Sequence, residues 1–305
     1  MQSNQVEWVA VDWGTSNLRV WLFSGDGEVI DHAVSDRGMG QLTPDQFEPA
    51  LLDMIGDHLQ SGRVTPVICC GMVGARQGWV EAPYATAPCT PPSALQAVKP
   101  AVRDPRLEVY ILPGIMQDEP ADVMRGEETQ IAGFLSSRPE YDGVLCLPGT
   151  HTKWVHISAG EIVSFRTFMT GELFALLSKQ SVLRHSLTES GWVEEAFNAS
   201  INDAMSSPHL IASRLFSFRA ESLLHGVSSG MVRARLSGYL IGLELAGARP
   251  YWLGREVVII GADRLAGHYA NALSLQGAKS KNADGGALTL AGLSDAYSKL
   301  KDTES

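Results

Sequence analysis

The sequence predicts an α/β protein made of two similar units, each opening with a strand, a short glycine- and hydroxyl-rich loop and a second strand. In the first half, residues 6–14 form an apolar strand pattern, and Leu18–Phe23 form a second strand after the loop. In the second half, Gly143–Leu147 precede Gly149-Thr150-His151, and Trp154–Ile157 continue as a strand. The shared order predicts two related domains.

Helix and strand patterns follow each opening, with helices marked by apolar residues at helical spacing, such as Phe47, Leu51 and Ile55. In chain order we expect a strand at Glu28–Val34, a helix at Pro44–Gln60, a strand at Val67–Cys70, a helix at Asp122–Leu135, a long helix or broken pair at Arg219–Leu245, a strand at Glu256–Ile260 and a helix at Arg264–Leu273. With no low-complexity linker present, we divide the chain into domains 1–138 and 139–305, facing each other across a cleft. The division leaves open whether the final helix packs with the second half or with the first.

Composition narrows the function classes. The formal net charge is −10 and 45% of the residues are hydrophobic, which is ordinary for a folded globular chain. No basic field is available to neutralise a nucleic-acid backbone or to hold an acidic membrane surface. We therefore expect a small-molecule partner, with no nucleic acid and no membrane. Cys69, Cys70, Cys89 and Cys146 form no regular framework, which favours reduced thiols and a cytoplasmic location.

Both glycine-rich loops turn directly into another strand. A glycine-rich loop after a strand usually binds phosphate, because its backbone N–H groups can point at an anion. The P-loop and dinucleotide fingerprints, in which a helix follows the loop, are absent. Phosphates would therefore be held inside β-hairpins, by amides and hydroxyls.

Three segments resemble motifs of the sugar kinase, Hsp70 and actin superfamily, in that superfamily's order. Residues 12–19 (DWGTSNLR) resemble its first phosphate motif, residues 147–153 (LPGTHTK) its second and residues 257–262 (VVIIGA) its adenosine motif. Residues 70–79 (CGMVGARQGW) and 122–130 (DVMRGEETQ) are most similar to the 2-dehydro-3-deoxygalactonokinase family. The resemblance implies two ribonuclease H-like (actin-like ATPase) domains and ATP-dependent phosphorylation of the 6-hydroxyl of 2-dehydro-3-deoxy-D-galactonate, a step of galactonate catabolism.

The resemblance also implies roles for individual residues. Asp12, the carboxylate at the first loop, is expected to hold Mg²⁺ directly or through water. The cofactor-binding residues would be Gly14, Thr15, Ser16, Gly149, Thr150 and Thr152 around the phosphates, and Gly261, Ala262, Gly285 and Gly286 around adenine. Lys153 and His151 would add charge near the phosphates.

The acceptor substrate needs a cation for its carboxylate and a base for its hydroxyl. Arg76 and Arg166, then Arg37, are the candidates for the cation, because arginine grips a carboxylate with two hydrogen bonds. Resemblance of residues 126–130 to acidic segments of other sugar kinases and of exopolyphosphatases places Glu127 at the base position. Asp118, Asp122 and Glu128 are the alternatives.

Other functions stay open from the sequence. Residues 226–230 match the G-x-S-x-G pattern of serine hydrolases, although the helical pattern before them argues against the required strand. A nucleotide switch of the actin or chaperone kind carries large additional subdomains, for which 305 residues leave little room. The alternatives closest to the predicted kinase are kinases for other 2-keto-3-deoxy sugar acids and phosphatases or ATPases of the exopolyphosphatase type. A homodimer is a reasonable expectation.

Overall fold

Two compact units make up the protein in this computed structural model, which describes residues 5–188 and 190–304. The first unit contains the chain up to Tyr141, Ser158–Val163 and the chain from Gly285 onward. The second contains Asp142–Ile157 and Ser164–Asp284. The final helix thus belongs to the first unit, while the functional division of the chain at residues 138 and 139 remains a prediction.

Within the described residues, the strands form two five-stranded sheets and one three-stranded sheet. Their bounds are β1 Trp8–Trp13, β2 Leu18–Phe23, β3 Val29–Ser35, β4 Thr65–Gly71, β5 Tyr84–Thr86, β6 Leu107–Ile111, β7 Gly114–Gln117, β8 Asp122–Met124, β9 Gly143–Leu147, β10 Thr152–Ser158, β11 Glu161–Phe168, β12 Val257–Gly261 and β13 Ser280–Asp284. The five-stranded sheets run β3-β2-β1-β4-β6 and β11-β10-β9-β12-β13. In each, the opening strand pairs antiparallel with the strand after the loop and parallel with a later strand. The predicted duplication is confirmed.

The helices flank these sheets within their own units. Their bounds are α1 Phe47–Ile55, α2 Glu127–Ser137, α3 Thr170–Lys179, α4 Glu194–Ser206, α5 Ile211–His225, α6 Ser229–Gly247, α7 Arg249–Trp252, α8 Asp263–Leu275 and α9 Gly285–Glu304. No helix in the described part of the chain is long and apolar enough to cross a bilayer.

Buried side chains explain the continuous apolar patterns of the two opening strands. On β1, Val9, Val11 and Trp13 enter the first unit's main core with Phe47 of α1, while Trp8 and Ala10 pack on the other face against α9. In the second unit, Val144 and Cys146 of β9 pack with α4, α6 and α8. Both opening strands are covered on both faces, as their apolar runs predict.

One helix prediction differs from the structure, and a second, left open between one helix and two, is resolved by it. The helix expected at Asp122–Leu135 begins at Glu127, because Asp122–Met124 pair with β7 as a strand and Gly126 has φ +109°. Of the long helix or broken pair expected at Arg219–Leu245, the structure contains the pair: α5 begins earlier, at Ile211, and is separated from α6 at Gly226, which has φ +62°. Ser228 accepts a hydrogen bond from the Met231 N–H as the N-cap of α6, and helix α5 stands where a serine hydrolase needs a strand.

Candidate active site

The first hairpin loop contains an internal backbone hydrogen bond and accepts two more from the segment around Met39 and Gly40. The Gly14 N–H donates to the Asn17 carbonyl oxygen at 2.9 Å. The N–H groups of Met39 and Gly40 donate to the carbonyl oxygens of Gly14 and Thr15, both at 2.9 Å. A Cβ on Gly38 would lie 2.3 Å from the Thr15 carbonyl oxygen, so this approach requires glycine. The exposed side chains of Thr15 and Ser16 remain available to a ligand.

Asp12 lies at the end of β1, directly before this loop. Its carboxylate is 15% exposed and forms an ion pair with Arg19 on β2, opposite it in register. The Cys70 Sγ lies 3.9 Å from Asp12 Oδ1. One oxygen of Asp12 is therefore already bonded to a cation, and the other faces the end of β4.

Two glycines let the start of α2 approach the ends of β1 and β4. Gly71 has φ +90°, and a Cβ there would lie 2.7 Å from the Trp13 carbonyl oxygen. Gly126 also has positive φ, and its missing Cβ would lie 3.4 Å from the Gly71 Cα. Both backbones need glycine for conformation and the first also for space. Asp12 and the first turn of α2 consequently belong to one corner of the first unit.

The two glutamates that open α2 have different surroundings. Glu128 is 1% exposed, and both of its oxygens accept the Gly126 N–H, at 2.8 and 2.7 Å. Burial raises the pKa of Glu128 to about 7, with a further contribution from the Glu127 charge. Glu127 is half-buried, and its Oε2 accepts the Arg125 N–H at 3.1 Å. The other candidate bases lie before α2: Asp118 in an exposed turn and Asp122 on β8.

Gly285 and Gly286 begin α9, which packs on α2. Gln130 of α2 donates to the Gly285 carbonyl oxygen at 3.3 Å and to the Thr289 hydroxyl at 3.2 Å. A Cβ on Gly292 would lie 2.0 Å from the Thr129 carbonyl oxygen, so the helices touch backbone to backbone. The predicted adenine wall at Gly285 and Gly286 therefore lies beside the helix that carries the candidate base.

The second hairpin loop packs against the first turn of α3. The Glu172 N–H donates to the Thr150 carbonyl oxygen at 3.0 Å, and a Cβ on Gly171 would lie 2.2 Å from the Gly149 carbonyl oxygen. Gly149 itself has no atom within 4 Å of its own missing Cβ. His151 pairs with Glu172 at 2.6 Å. Lys153 is buried and donates to the His151 carbonyl oxygen at 3.3 Å.

A buried hydrogen-bond network underlies this hairpin. The Thr152 side chain is fully buried, and its hydroxyl lies 2.9 Å from the Tyr269 hydroxyl. Tyr269 donates at 2.7 Å to Glu244 on α6, which also accepts from Trp154 and Thr170. Burial raises the pKa of Glu244 to about 7, although these hydrogen bonds oppose the shift. The sequence interpretation did not identify Glu244.

A cavity of about 410 Å³ opens in the second unit between α3, α6 and α8. It is bounded by Gly149 of the second hairpin and by Ala262, the residue that follows Gly261 at the end of β12. Other lining residues are Thr170, Gly171, Phe174, Trp192, Arg233, Ser237, Leu240, Ile241, Arg264, Leu265, His268 and Tyr269. The wall thus combines aromatic and aliphatic groups with two arginines.

The three arginines predicted for the substrate carboxylate are all exposed. Arg37 pairs with Asp53 at 2.5 Å, and its carbonyl oxygen accepts the Trp13 Nε1–H at 3.0 Å. The Arg76 side chain is 80% exposed, 3.4 Å from Glu81. Arg166 lies on β11 of the second unit. Arg37 and Arg76 belong to the first unit, and Arg166 belongs to the second.

Arg125 is a further cation beside the candidate base. Its guanidinium lies 4.3 Å over the Tyr84 ring, and Nη2 donates to the Ala82 carbonyl oxygen at 2.7 Å. Nε and Nη1 are shielded, with no hydrogen-bond partner among the described residues. Its position directly before Gly126-Glu127 was the only sequence signal for it.

Two sheets of equal strand order, each with a glycine-threonine hairpin at its opening strand, define a protein of the actin-like ATPase fold used by sugar kinases. One solved structure, the activator of 2-hydroxyisocaproyl-CoA dehydratase from Clostridium difficile, is similar to this chain over 97% of each chain, with a TM-score of 0.50. At 12% sequence identity, this similarity is evidence for the fold and for nothing further. The predicted fold class is confirmed.

The family model described as 2-keto-3-deoxy-galactonokinase matches residues 12–296. A protein of Rhizobium meliloti (strain 1021) named "probable 2-dehydro-3-deoxygalactonokinase" is 37% identical over 95% of this chain and 96% of its own length. The Escherichia coli (strain K12) 2-dehydro-3-deoxygalactonokinase is 32% identical over 88% and 90%. A crystal structure of a candidate 2-dehydro-3-deoxygalactonokinase from Sinorhizobium meliloti has a TM-score of 0.89 and 36% identity, covering 96% of this chain and 99% of that one.

The chain belongs to the 2-keto-3-deoxy-galactonokinase family. The family is one of sugar-acid kinases, so the predicted enzyme class is confirmed as well.

Proposed function

We propose that this kinase transfers the γ-phosphoryl group of Mg²⁺-bound ATP to the 6-hydroxyl of 2-dehydro-3-deoxy-D-galactonate, as a step of galactonate catabolism. The names of the relatives support the acceptor. The main support for ATP as the phosphoryl donor is the cavity in the second unit. Its lining includes Gly149 from the second hairpin and Ala262 from the segment predicted to contact adenosine.

The cavity suits a purine nucleotide in size and chemistry. Its volume is within the range of ligand pockets. The rings of Trp192 and His268 lie 4.3 Å apart at 30°, which provides an aromatic wall. Burial lowers the pKa of His268, so its ring is neutral at pH 7. Arg233 and Arg264 supply positive charge for the phosphate end of the ligand.

The hairpins are the proposed phosphate contacts. Thr15, Ser16 and Thr150 are exposed, and Gly14 and Gly149 let a phosphate approach the backbone. The Thr152 hydroxyl is bonded inward to Tyr269, so its proposed contribution is to hold the second hairpin in place. Gly261 would act in the same way, by bringing Ala262 to the rim.

Asp12 fits a water-mediated Mg²⁺ contact. Its carboxylate is partly exposed; Arg19 pairs with Oδ2, and Oδ1, which the Cys70 thiol approaches at 3.9 Å, has a further lone pair to accept a hydrogen bond from metal-bound water. Mg²⁺ bound there with ATP would neutralise the charge that develops on the phosphates. The described residues contain no group of three or more His, Cys, Asp or Glu side chains suited to a metal, and Mg²⁺ in kinases needs only one or two carboxylates plus phosphates.

Glu127 is the proposed base, which takes the proton from the attacking 6-hydroxyl. It lies beside Arg125 and is only half-buried, so a substrate hydroxyl can reach it. Arg76, Arg166 and Arg37 remain the proposed contacts of the substrate carboxylate. The free thiols of the four described cysteines suit a cytoplasmic enzyme, and a homodimer is proposed on the general frequency of such assemblies.

A substrate panel tests this function. The protein is incubated with ATP, Mg²⁺ and one of several 2-keto-3-deoxy sugar acids, and ADP release is followed by a coupled assay. We expect rapid ADP release with 2-dehydro-3-deoxy-D-galactonate and slow release without acceptor. A preference for the gluconate-derived isomer would reassign the acceptor, and equal ADP release without acceptor would indicate an exopolyphosphatase-type hydrolase or ATPase.

A further inference from the structure

One carboxylate in the second unit joins four secondary-structure elements behind the cavity wall. Glu244 of α6 is 2% exposed. Its Oε1 accepts the Trp154 Nε1–H from β10 at 2.8 Å, and its Oε2 accepts the hydroxyls of Thr170 from α3 and Tyr269 from α8. Moving a buried carboxylate with three donors costs free energy, because each buried donor then loses its hydrogen-bond partner.

The donors to Glu244 are also parts of the candidate site. Thr170 and Tyr269 line the cavity, and Thr170 directly precedes Gly171, which touches the Gly149 carbonyl oxygen. The Tyr269 hydroxyl lies 2.9 Å from Thr152 of the second hairpin. The cavity wall and the hairpin are thus tied to the same carboxylate.

We propose that Glu244 is a positioning residue for nucleotide binding, which holds the Thr170 and Tyr269 side of the cavity and, through Tyr269, the second phosphate hairpin in one arrangement. This role rests on the proposed nucleotide cavity. Glu244 does not line the cavity, so it acts through its partners. Without the hydroxyl bonds, only a fraction of the molecules would have the binding-competent wall, and the apparent affinity falls by that fraction.

The electrostatics of the network link this role to pH. Among the described residues, Cys146 from β9 and Tyr269 from α8 are the titratable groups that interact electrostatically with Glu244, and α3 and β10 present Thr170, Thr152 and Trp154. None of these carries a positive charge that would balance an ionised Glu244. A triphosphate at the neighbouring hairpin repels that ionised form, so the bound state favours the neutral acid. Nucleotide affinity therefore falls as the pH rises through about 7, the pKa of Glu244.

Two tyrosines on the second unit make a matched comparison. Tyr269→Phe removes a hydroxyl that bonds Glu244, whereas Tyr239→Phe removes a buried hydroxyl on α6 that has no hydrogen-bond partner among the described residues. Thr170→Val removes the second donor without changing side-chain size. Glu244→Gln keeps an acceptor for Trp154 and removes the titration.

The probe is Mg²⁺ with adenylyl imidodiphosphate, titrated by calorimetry. We expect Tyr269→Phe and Thr170→Val to raise its Kd about three- to tenfold while Tyr239→Phe leaves it unchanged. The KM for the sugar acid should stay within twofold in all three. Between pH 6 and 8 the wild-type Kd should rise several-fold more than that of Glu244→Gln, a comparison that cancels the titration of the nucleotide phosphates.

The outcomes separate the two proposals. If wild type binds the nucleotide, but Tyr269→Phe and Thr170→Val bind it as tightly and Glu244→Gln shows the same pH profile, Glu244 has no positioning role. A lower melting temperature with unchanged Kd in those variants would equally rule out that role, since a purely structural network would act that way. If wild type fails to bind the nucleotide, the proposed nucleotide cavity is wrong, and the positioning role fails with it.

Discussion

The side chain of Glu128 accepts the backbone N–H of Gly126 with both of its oxygens, at 2.8 and 2.7 Å. This contact turns Glu128 back over the start of α2 and buries it, while the adjacent Glu127 stays half-buried. The two carboxylates are neighbours in sequence but have different surroundings. Glu128 is bonded to the backbone at the start of the helix, and the more accessible Glu127 is the proposed base.

Glu127→Gln is expected to lower kcat by about 10²- to 10⁴-fold, the usual contribution of a positioned base, with little change in ATP affinity. Steady-state kinetics with both substrates measure this. Glu128→Gln serves as the paired variant, because it keeps the side-chain volume at the neighbouring position. Normal turnover in Glu127→Gln together with loss of activity in Glu128→Gln, or in Asp118→Asn or Asp122→Asn, would move the base to that residue.

Asp12→Asn should abolish turnover and leave the fold intact. Asparagine keeps the size of the side chain and removes the charge proposed to face Mg²⁺. Circular dichroism checks the fold, and a Mg²⁺ titration of the residual activity checks the metal role. Because Asp12 also pairs with Arg19, Arg19→Gln is the control for loss of the ion pair alone. Full activity of Asp12→Asn at ordinary Mg²⁺ would mean that the metal contact belongs to another group.

Gly149→Ala tests the cavity rim without disturbing the protein. The added Cβ would have no protein atom within 4 Å, so we expect the free energy of unfolding to change by less than about 0.5 kcal/mol. The same methyl would project where the nucleotide is proposed to approach the hairpin, which should raise the Kd for ATP. Gly56→Ala, also with open space around its Cβ, is the matched control. Unchanged ATP binding in Gly149→Ala would contradict this placement.

Arg76→Ala and Arg166→Ala should raise the KM for the sugar acid far more than that for ATP, with a smaller effect for Arg37→Ala. A charged hydrogen bond lost from a bound carboxylate costs about 1.5–3 kcal/mol. If the arginine binds the substrate carboxylate through two parallel hydrogen bonds, lysine at the same position should restore the KM for the sugar acid only poorly. If the KM for the acid is unchanged in all three variants, the carboxylate site lies elsewhere, and Arg125 is the next cation to replace.

The stabilisation contributed by two buried glutamates should fall as the pH rises from about 4.5 to 7. Burial raises the pKa of Glu128 and of Glu244 from an ordinary 4.5 to about 7. The folded protein therefore holds these protons more tightly than the unfolded chain, and this stabilisation is lost between pH 4.5 and 7. Each group contributes on the order of 2–3 kcal/mol over that interval. Urea denaturation at pH 5 and pH 8 measures the loss, which should shrink in Glu128→Gln and in Glu244→Gln.

Local patterns in the sequence predict the parts of the fold that are built locally. The two hairpins follow from apolar strands interrupted by Gly14-Thr15-Ser16 and Gly149-Thr150-His151, and their repetition predicts the matched sheets. The predicted start of α2 is wrong because pairing of β8 with β7 and the positive φ of Gly126 override the helical pattern before Glu127.

Tertiary contacts explain what the sequence could not predict about the site. The partners of Glu244 come from three other elements, and no spacing within α6 marks that residue. The aromatic wall likewise combines Trp192 with His268, far apart in the chain. Arg76, predicted to bind the substrate carboxylate, has a largely exposed side chain, and nothing in the local sequence indicates this exposure.

The position of the transferred phosphate tests the proposed reaction most directly. The product of ATP, Mg²⁺ and 2-dehydro-3-deoxy-D-galactonate is analysed by phosphorus–proton correlation in nuclear magnetic resonance. We expect one phosphomonoester, coupled to the two methylene protons at carbon 6, formed in equal amount with ADP. Inorganic phosphate as the sole phosphorus product besides ADP, or a phosphoester at another carbon, would contradict the proposed transfer.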